Sequence, residues 1–270
     1  MSRSWRRPVR FSDFARLALA FLGAGALGAQ GAETGFLERD LTHGGHHTRY
    51  QIYVPADYLT RTDWPVILYL HGAGERGTDG LRPTQAGLGA AIRLAPKRFP
   101  AIVVIPQAPP GTQWTGAQAD LALAALDRVL REYRVDVDRV YLTGLSMGGH
   151  GTWYIAYRHP ERFAAAAPIC GWTQDLASHG FSVPVVPGED GPALPALARR
   201  LAKLPLWIFH GDQDSLVPVK GSRAAAEALK AESTVAHYTE YPGLDHNSWD
   251  VTYGSDAFVQ WLFAQRRAKR

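Results

Sequence analysis

A serine with a glycine two residues away on each side, Gly144-Leu145-Ser146-Met147-Gly148, most constrains what this chain can fold into. Before it runs Val140-Tyr141-Leu142-Thr143, apolar, β-branched and aromatic, as a buried strand requires. After it come small residues and then Trp153, Tyr154, Ile155 and Tyr157, which suit a helix. A sharp strand-to-helix turn reconciles the two. It strains the serine backbone, demands tiny neighbours, and leaves Oγ exposed with the first N–H groups of the helix aimed at whatever that oxygen attacks. The remainder of the chain must then supply a base, an acid and a second oxyanion donor.

The strand-like runs elsewhere fit this demand. Arg49-Tyr50-Gln51-Ile52-Tyr53-Val54 alternates as a half-buried strand does, whereas Val66–Leu70 and Ala101–Ile105 are continuous apolar runs, expected of strands covered on both faces. Helical patterns are expected at Thr84–Leu94, Asp120–Tyr133, Val219–Ala231 and Ser255–Gln265, with further strands at Phe163–Ile169, Leu206–Phe209 and Val235–Tyr241. Strands alternating with helices predict an α/β fold, a mostly parallel central sheet with helices on both faces and ligands at the carboxyl ends of the strands. Residues 173–197, rich in Pro, Gly, Ser and Asp, read as an excursion from the sheet, a short lid or substrate loop.

Charge narrows the function classes. Residues 1–32 hold five arginines and one acid, which accounts for the whole formal charge of +4; the other 24 basic and 24 acidic residues cancel. No nucleic-acid footprint is expected from that balance. The basic tail from Arg266 reads as a solvated helix end. Within residues 1–32 a basic opening leads to an apolar stretch from Leu17 to Leu27, too short to span a bilayer, then to small residues. A signal peptide is expected there, delivering a secreted or periplasmic protein whose residues 33–270 form one catalytic domain; an uncleaved leader acting as a membrane anchor is the alternative. The single cysteine, Cys170, excludes an intramolecular disulfide and reads as a small buried residue. His43, His46 and His47 lie close together without an acidic or cysteine partner nearby, so an exposed loop is expected there and no metal site.

Candidate site residues follow from chemistry and chain order. A serine hydroxyl needs a base within hydrogen-bond reach. His210 ends a strand and precedes Gly211, which suits a backbone role at a tight turn; His246 sits in a polar loop after the last strand and is the expected base. Asp214, deeper in its loop than Asp212, is the expected acid, with Asp175, Asp190 and Asp245 as weaker alternatives. The glycine-rich run His71-Gly72-Ala73-Gly74-Glu75-Arg76-Gly77 suits an oxyanion loop, with the Ala73 and Met147 N–H groups as donors and a Glu75–Arg76 pair as a brace. Trp114, Trp172 and Trp249 are candidates for a substrate cleft, or equally for the core.

The residues Leu70-His71-Gly72-Ala73-Gly74-Glu75-Arg76-Gly77, Gly144–Gly149, His210-Gly211-Asp212-Gln213-Asp214-Ser215-Leu216-Val217-Pro218 and His246-Asn247-Ser248-Trp249 together resemble the α/β-hydrolase superfamily. Within it the chain is similar, over about residues 36–265, to secreted carboxylesterases and predicted peptidases related to feruloyl esterases, dienelactone hydrolases and polyhydroxyalkanoate depolymerases. The resemblance implies an acyl-enzyme route and matches Asp214 to the last position of His-Gly-x-x-Asp. Ser146 departs from dienelactone hydrolases, which use a cysteine there, and the propeller domain of prolyl oligopeptidases is absent. The expected function is a serine esterase on small or polysaccharide-linked carboxylic esters, needing neither metal nor organic cofactor. A serine peptidase on short peptides would use identical residues, and a non-catalytic binding protein on the same fold is the third reading.

Overall fold

The computed structural model describes residues 33–174, 176, 180–188, 193–232 and 235–267. The expected signal peptide, Asp175, Asp190, part of the 173–197 excursion and the last three residues lie outside these. Eight strands form one sheet in the order β1-β2-β4-β3-β5-β6-β7-β8. In chain order they are β1 Gly35–His43, β2 His46–Val54, β3 Trp64–Leu70, β4 Ile102–Pro106, β5 Val135–Leu145, β6 Ala165–Ile169, β7 Leu206–Gly211 and β8 Ala236–Tyr241. From β4 to β8 all neighbours are parallel, while β1, β2 and β4 pair antiparallel.

β1 carries no clear alternation and was not expected from the sequence. A hairpin makes it: Gly44 and Gly45 both adopt positive φ, 56° and 78°, which a two-residue turn between twisted strands requires. His43 and His46 are therefore a register pair flanking a turn, and the exposed His47 lies 3.3 Å from Asp40 across the hairpin.

β3 shows why its sequence is apolar without a break. Val66, Leu68 and Leu70 point into one core layer, with α2 (Ala117–Glu132), α3 (Met147–Arg158), α4 (Ala193–Leu201) and α5 (Lys220–Glu232). Ile67 and Tyr69 point into the other, with α1 (Gly87–Leu94), α6 (Trp249–Gly254) and α7 (Asp256–Ala264). Each aliphatic side chain so buried contributes about 2 kcal/mol. α4 and α6 are not expected: α4 begins inside the stretch read as an irregular excursion, with Pro195 in its first turn, and α6 is only six residues long. The Ser255 hydroxyl accepts the Phe258 N–H at 3.3 Å and sets where α7 begins. Arg266 and Arg267 lie beyond the end of α7 and stay partly in solvent, but they also pair with Asp136 and Asp138 at the start of β5, at 2.6 and 3.1 Å. No helix among the described residues is long and apolar enough to cross a membrane.

Candidate active site

Ser146 links β5 to α3 with φ 52° and ψ −117°, a conformation that costs an L-residue roughly 1–3 kcal/mol. Packing holds it there. A Cβ on Gly144 would fall 2.4 Å from the Gly148 carbonyl oxygen, and one on Gly148 only 1.9 Å from that of Leu70 in β3. The glycines are thus required by the closeness of β5, α3 and β3. Gly148→Ala is expected to lower folding stability by about 3 kcal/mol, read from denaturant unfolding, because the clash is with strand backbone that cannot move aside.

The loops after β5, β7 and β8 converge at this turn. Ser146 Oγ lies 2.9 Å from His246 Nε2, and His246 Nδ1 lies 2.8 Å from Asp214 Oδ2. A carboxylate only accepts, so Nδ1 carries the ring proton and Nε2 presents its lone pair to the serine hydroxyl. The Asp214 side chain is fully buried, and its Oδ1 accepts the N–H groups of Leu216 and Val217 at 2.9 and 2.8 Å. Burial pushes the Asp214 carboxyl up, but hydrogen bonds from His210, His246 and the Val217 N–H outweigh it and hold the group well below the usual carboxylate range.

The other carboxylates of these loops act as braces. Asp212 accepts the Gly243 N–H at 2.7 Å; Asp245 accepts the Ser215 N–H and the His246 N–H, both at 2.8 Å, tying the acid loop to the histidine loop. His210 does not act through its backbone at a tight turn, as its neighbouring glycine suggested: its buried ring lies 3.1 Å from Asp214. Trp249 packs edge-on against the His246 ring at 5.4 Å.

Ala73 begins a single 3₁₀ turn directly after β3, and Met147 is the first residue of α3. Neither N–H donates to another group among the described residues. A Cβ on Gly72 would stand 3.6 Å from that of Ser146, so this loop passes directly over the serine. Three residues not singled out for this role hold the loop in place. His71 donates from Nδ1 to the Gly72 carbonyl at 2.6 Å and accepts the Ala108 N–H at Nε2, 3.0 Å away. Burial pushes its pKa down to about 4, keeping the ring neutral as that acceptor role requires. Gln107 accepts the Gly80 N–H at 2.6 Å and donates to the Glu75 carbonyl at 3.0 Å. Trp114 is the third, and of its two expected places, cleft or core, it takes the core, so it is not among the substrate-cleft residues. It is 1% exposed, lies edge-on to His71 and donates Nε1–H to the His71 carbonyl at 2.9 Å, so it cannot meet a substrate. The Glu75–Arg76 pair does not form either; the Arg76 guanidinium stands 5.3 Å over Phe181 instead.

Trp172 stacks on His150 at 4.8 Å and walls a cavity of about 400 Å³ beside the acid loop, together with Leu176, Leu194, Val217, Pro218 and Lys220. Cys170 is buried with φ 41°, and burial pushes its thiol up. Among the described residues the one group with metal-ligand spacing is Cys170, Asp214 and His246, whose ligand atoms lie within 4.8 Å of one another. Asp214 and His246 are engaged with each other, and the thiol keeps its proton. This set does not fit a metal site.

The Esterase family model matches residues 43–266. Over 212 residues the chain is 29% identical to an uncharacterized secreted protein of Arthroderma benhamiae, a match covering 67% of this chain and 21% of that protein. It is 32% identical over 123 residues to poly(3-hydroxyalkanoate) depolymerase C of Paucimonas lemoignei, covering 44% of this chain and 29% of the depolymerase. The chain thus spans less than a third of the length of either relative. The crystal structure of a thermostable esterase superposes with a TM-score of 0.71 at 32% identity, covering 86% of this chain and 63% of that one.

Proposed function

The chain belongs to the Esterase family of α/β-hydrolases, and from that membership we propose that it is a serine carboxylic-ester hydrolase working through an acyl-enzyme. The observation that carries this reading is the continuous hydrogen-bonded line from Ser146 Oγ through His246 to the buried Asp214. Ser146 attacks the ester carbonyl while His246 Nε2 takes its proton. The tetrahedral oxyanion is held by the Ala73 and Met147 N–H groups, and the imidazolium protonates the departing alkoxide. Water, deprotonated by the same imidazole, then releases the acid. Asp214 stabilises the imidazolium without taking the proton.

Small or exposed esters are the expected substrates, and residues 33–270 the catalytic unit. Trp172, whose edge lines the cavity, and Trp249, beside His246, are the aromatic side chains assigned to the substrate. Export is supported by the basic-apolar-small pattern of residues 1–32 and by the secreted relative. A fluorophosphonate should label Ser146 stoichiometrically, as seen by mass spectrometry of the labelled peptide. Turnover of an aryl ester should exceed that of the matched anilide, because an amine is the poorer leaving group. No labelling would end the serine reading, and equal amide turnover would make the protein a peptidase.

A further inference from the structure

Asp214 stands between two imidazoles, of which one reaches the serine. Its Oδ2 lies 2.8 Å from His246 Nδ1 and 3.1 Å from Nε2 of His210, near the end of β7. His210 is completely buried. Its Nε2–H points at the Val217 carbonyl, 2.9 Å away, with Asp214 Oδ2 beside that bond, and its Nδ1 meets the Ser222 hydroxyl on α5 at 2.7 Å. Carbonyl and carboxylate oxygens only accept, so Nε2 carries the proton and the Ser222 hydroxyl donates to the bare Nδ1. The tautomer is thereby selected from the far side of the ring, just as Asp214 selects that of His246.

We infer that His210 is a positioning residue of the ester-cleaving site: its Nε2–H, oriented by Ser222, fixes Asp214 Oδ2 against His246 and draws off part of the carboxylate charge. This rests on the serine reading, because His210 acts only through Asp214. Two N–H groups of its own loop hold Oδ1, and the His210 Nε2 beside Oδ2 restrains the other end of the same rigid carboxylate, so that the whole group keeps one orientation toward His246. The Val217 carbonyl on the same Nε2–H closes the loop from its other end. Around this pair the titratable groups are His246, Cys170 after β6, Asp245 on the next loop, and Glu240 on β8, which Arg223 neutralises at 2.6 Å.

A merely structural histidine and a positioning one predict different outcomes for two amides in the full-length chain. In His210→Gln the amide nitrogen reaches where Nε2 stood and keeps the donor to Asp214. In His210→Asn the amide stops where Nδ1 stood and keeps only the Ser222 contact. With 4-nitrophenyl acetate, His210→Asn is expected to lose roughly 10- to 100-fold in kcat at little-changed KM. The acid limb of its kcat/KM profile should move to higher pH, because the undivided Asp214 charge then favours the imidazolium. His210→Gln should recover most of kcat and the original profile, even if both variants melt at the same lower temperature. Equal kcat for the two, with both acid limbs unmoved, would overturn the inference. Should neither variant fold, Ser222→Ala keeps the ring and removes its donor. It is expected to shift the profile the same way by less, and a profile superimposable on wild type would overturn the inference. Fluorophosphonate labelling of the wild type separates the two levels. Labelled Ser146 with indistinguishable variants defeats the His210 assignment alone, whereas unlabelled Ser146 defeats both.

Discussion

Replacing Ser146 by alanine should lower kcat on a short-chain aryl ester by about 10⁶-fold. In the proposed mechanism Oγ is the atom that bonds to the acyl carbon, and the Cys170 thiol nearby is fully buried with its proton held by that burial. The loop over Gly72 and the amide of residue 147 remain, so a residual rate of roughly 10³–10⁴ over water is expected from oxyanion stabilisation and binding alone. The substitution leaves the packing of Gly144 and Gly148 untouched. Unfolding temperature and circular dichroism should therefore stay near wild type, and the lost rate is chemical. Activity within tenfold of wild type would remove Ser146 from the mechanism.

Asp214→Asn should lower kcat by about 10⁴-fold. The geometry dictates how. Oδ1 accepts two backbone N–H groups, so the amide oxygen of asparagine takes that place and the NH₂ group falls at the Oδ2 position. There it donates to His246 Nδ1, driving the ring proton to Nε2, where it blocks acceptance of the Ser146 proton. It also faces the Nε2–H of His210, a donor against a donor. Asp212→Asn, whose carboxylate braces Gly243, should leave kcat near wild type, and the contrast between the two identifies the acid. The same carboxylate sets a pH dependence of stability. Its folded pKa lies below the value of about 3.9 in an unfolded chain, so its contribution is complete above pH 4 and is lost as the pH falls further. Acid unfolding of Asp214→Asn should accordingly show a shallower loss of stability below pH 4 than wild type.

Much of the architecture was legible in the chain because it rests on local patterns. Continuous apolar runs such as Val66–Leu70 mark strands covered on both faces, and their alternation with helical periods predicts the parallel sheet that β3 to β8 form. β1 was missed because nothing in Gly35–His43 alternates cleanly; only its pairing with β2 makes it a strand. In the sequence Trp114 suits core and cleft equally, since an aromatic after a proline-rich loop looks alike in both. Its hydrogen bond to the His71 carbonyl, 43 residues away, decides the matter. The glycine beside His210 suggests a backbone role, whereas its ring is what Ser222, Val217 and Asp214 surround.

By itself the sequence determined what adjacent residues impose on one another: a strained serine between glycines, the strand and helix flanking it, and the order in which Ser146, Asp214 and His246 occur. These depend on backbone sterics and side-chain period, which act over a few residues. Tertiary structure alone decided that Ser146 and His246, 100 residues apart, stand 2.9 Å from each other, and that Asp214 is shared between two histidines. Such distances follow from the register of β5, β7 and β8 and from the cores packed on both sides of them. No local pattern encodes that.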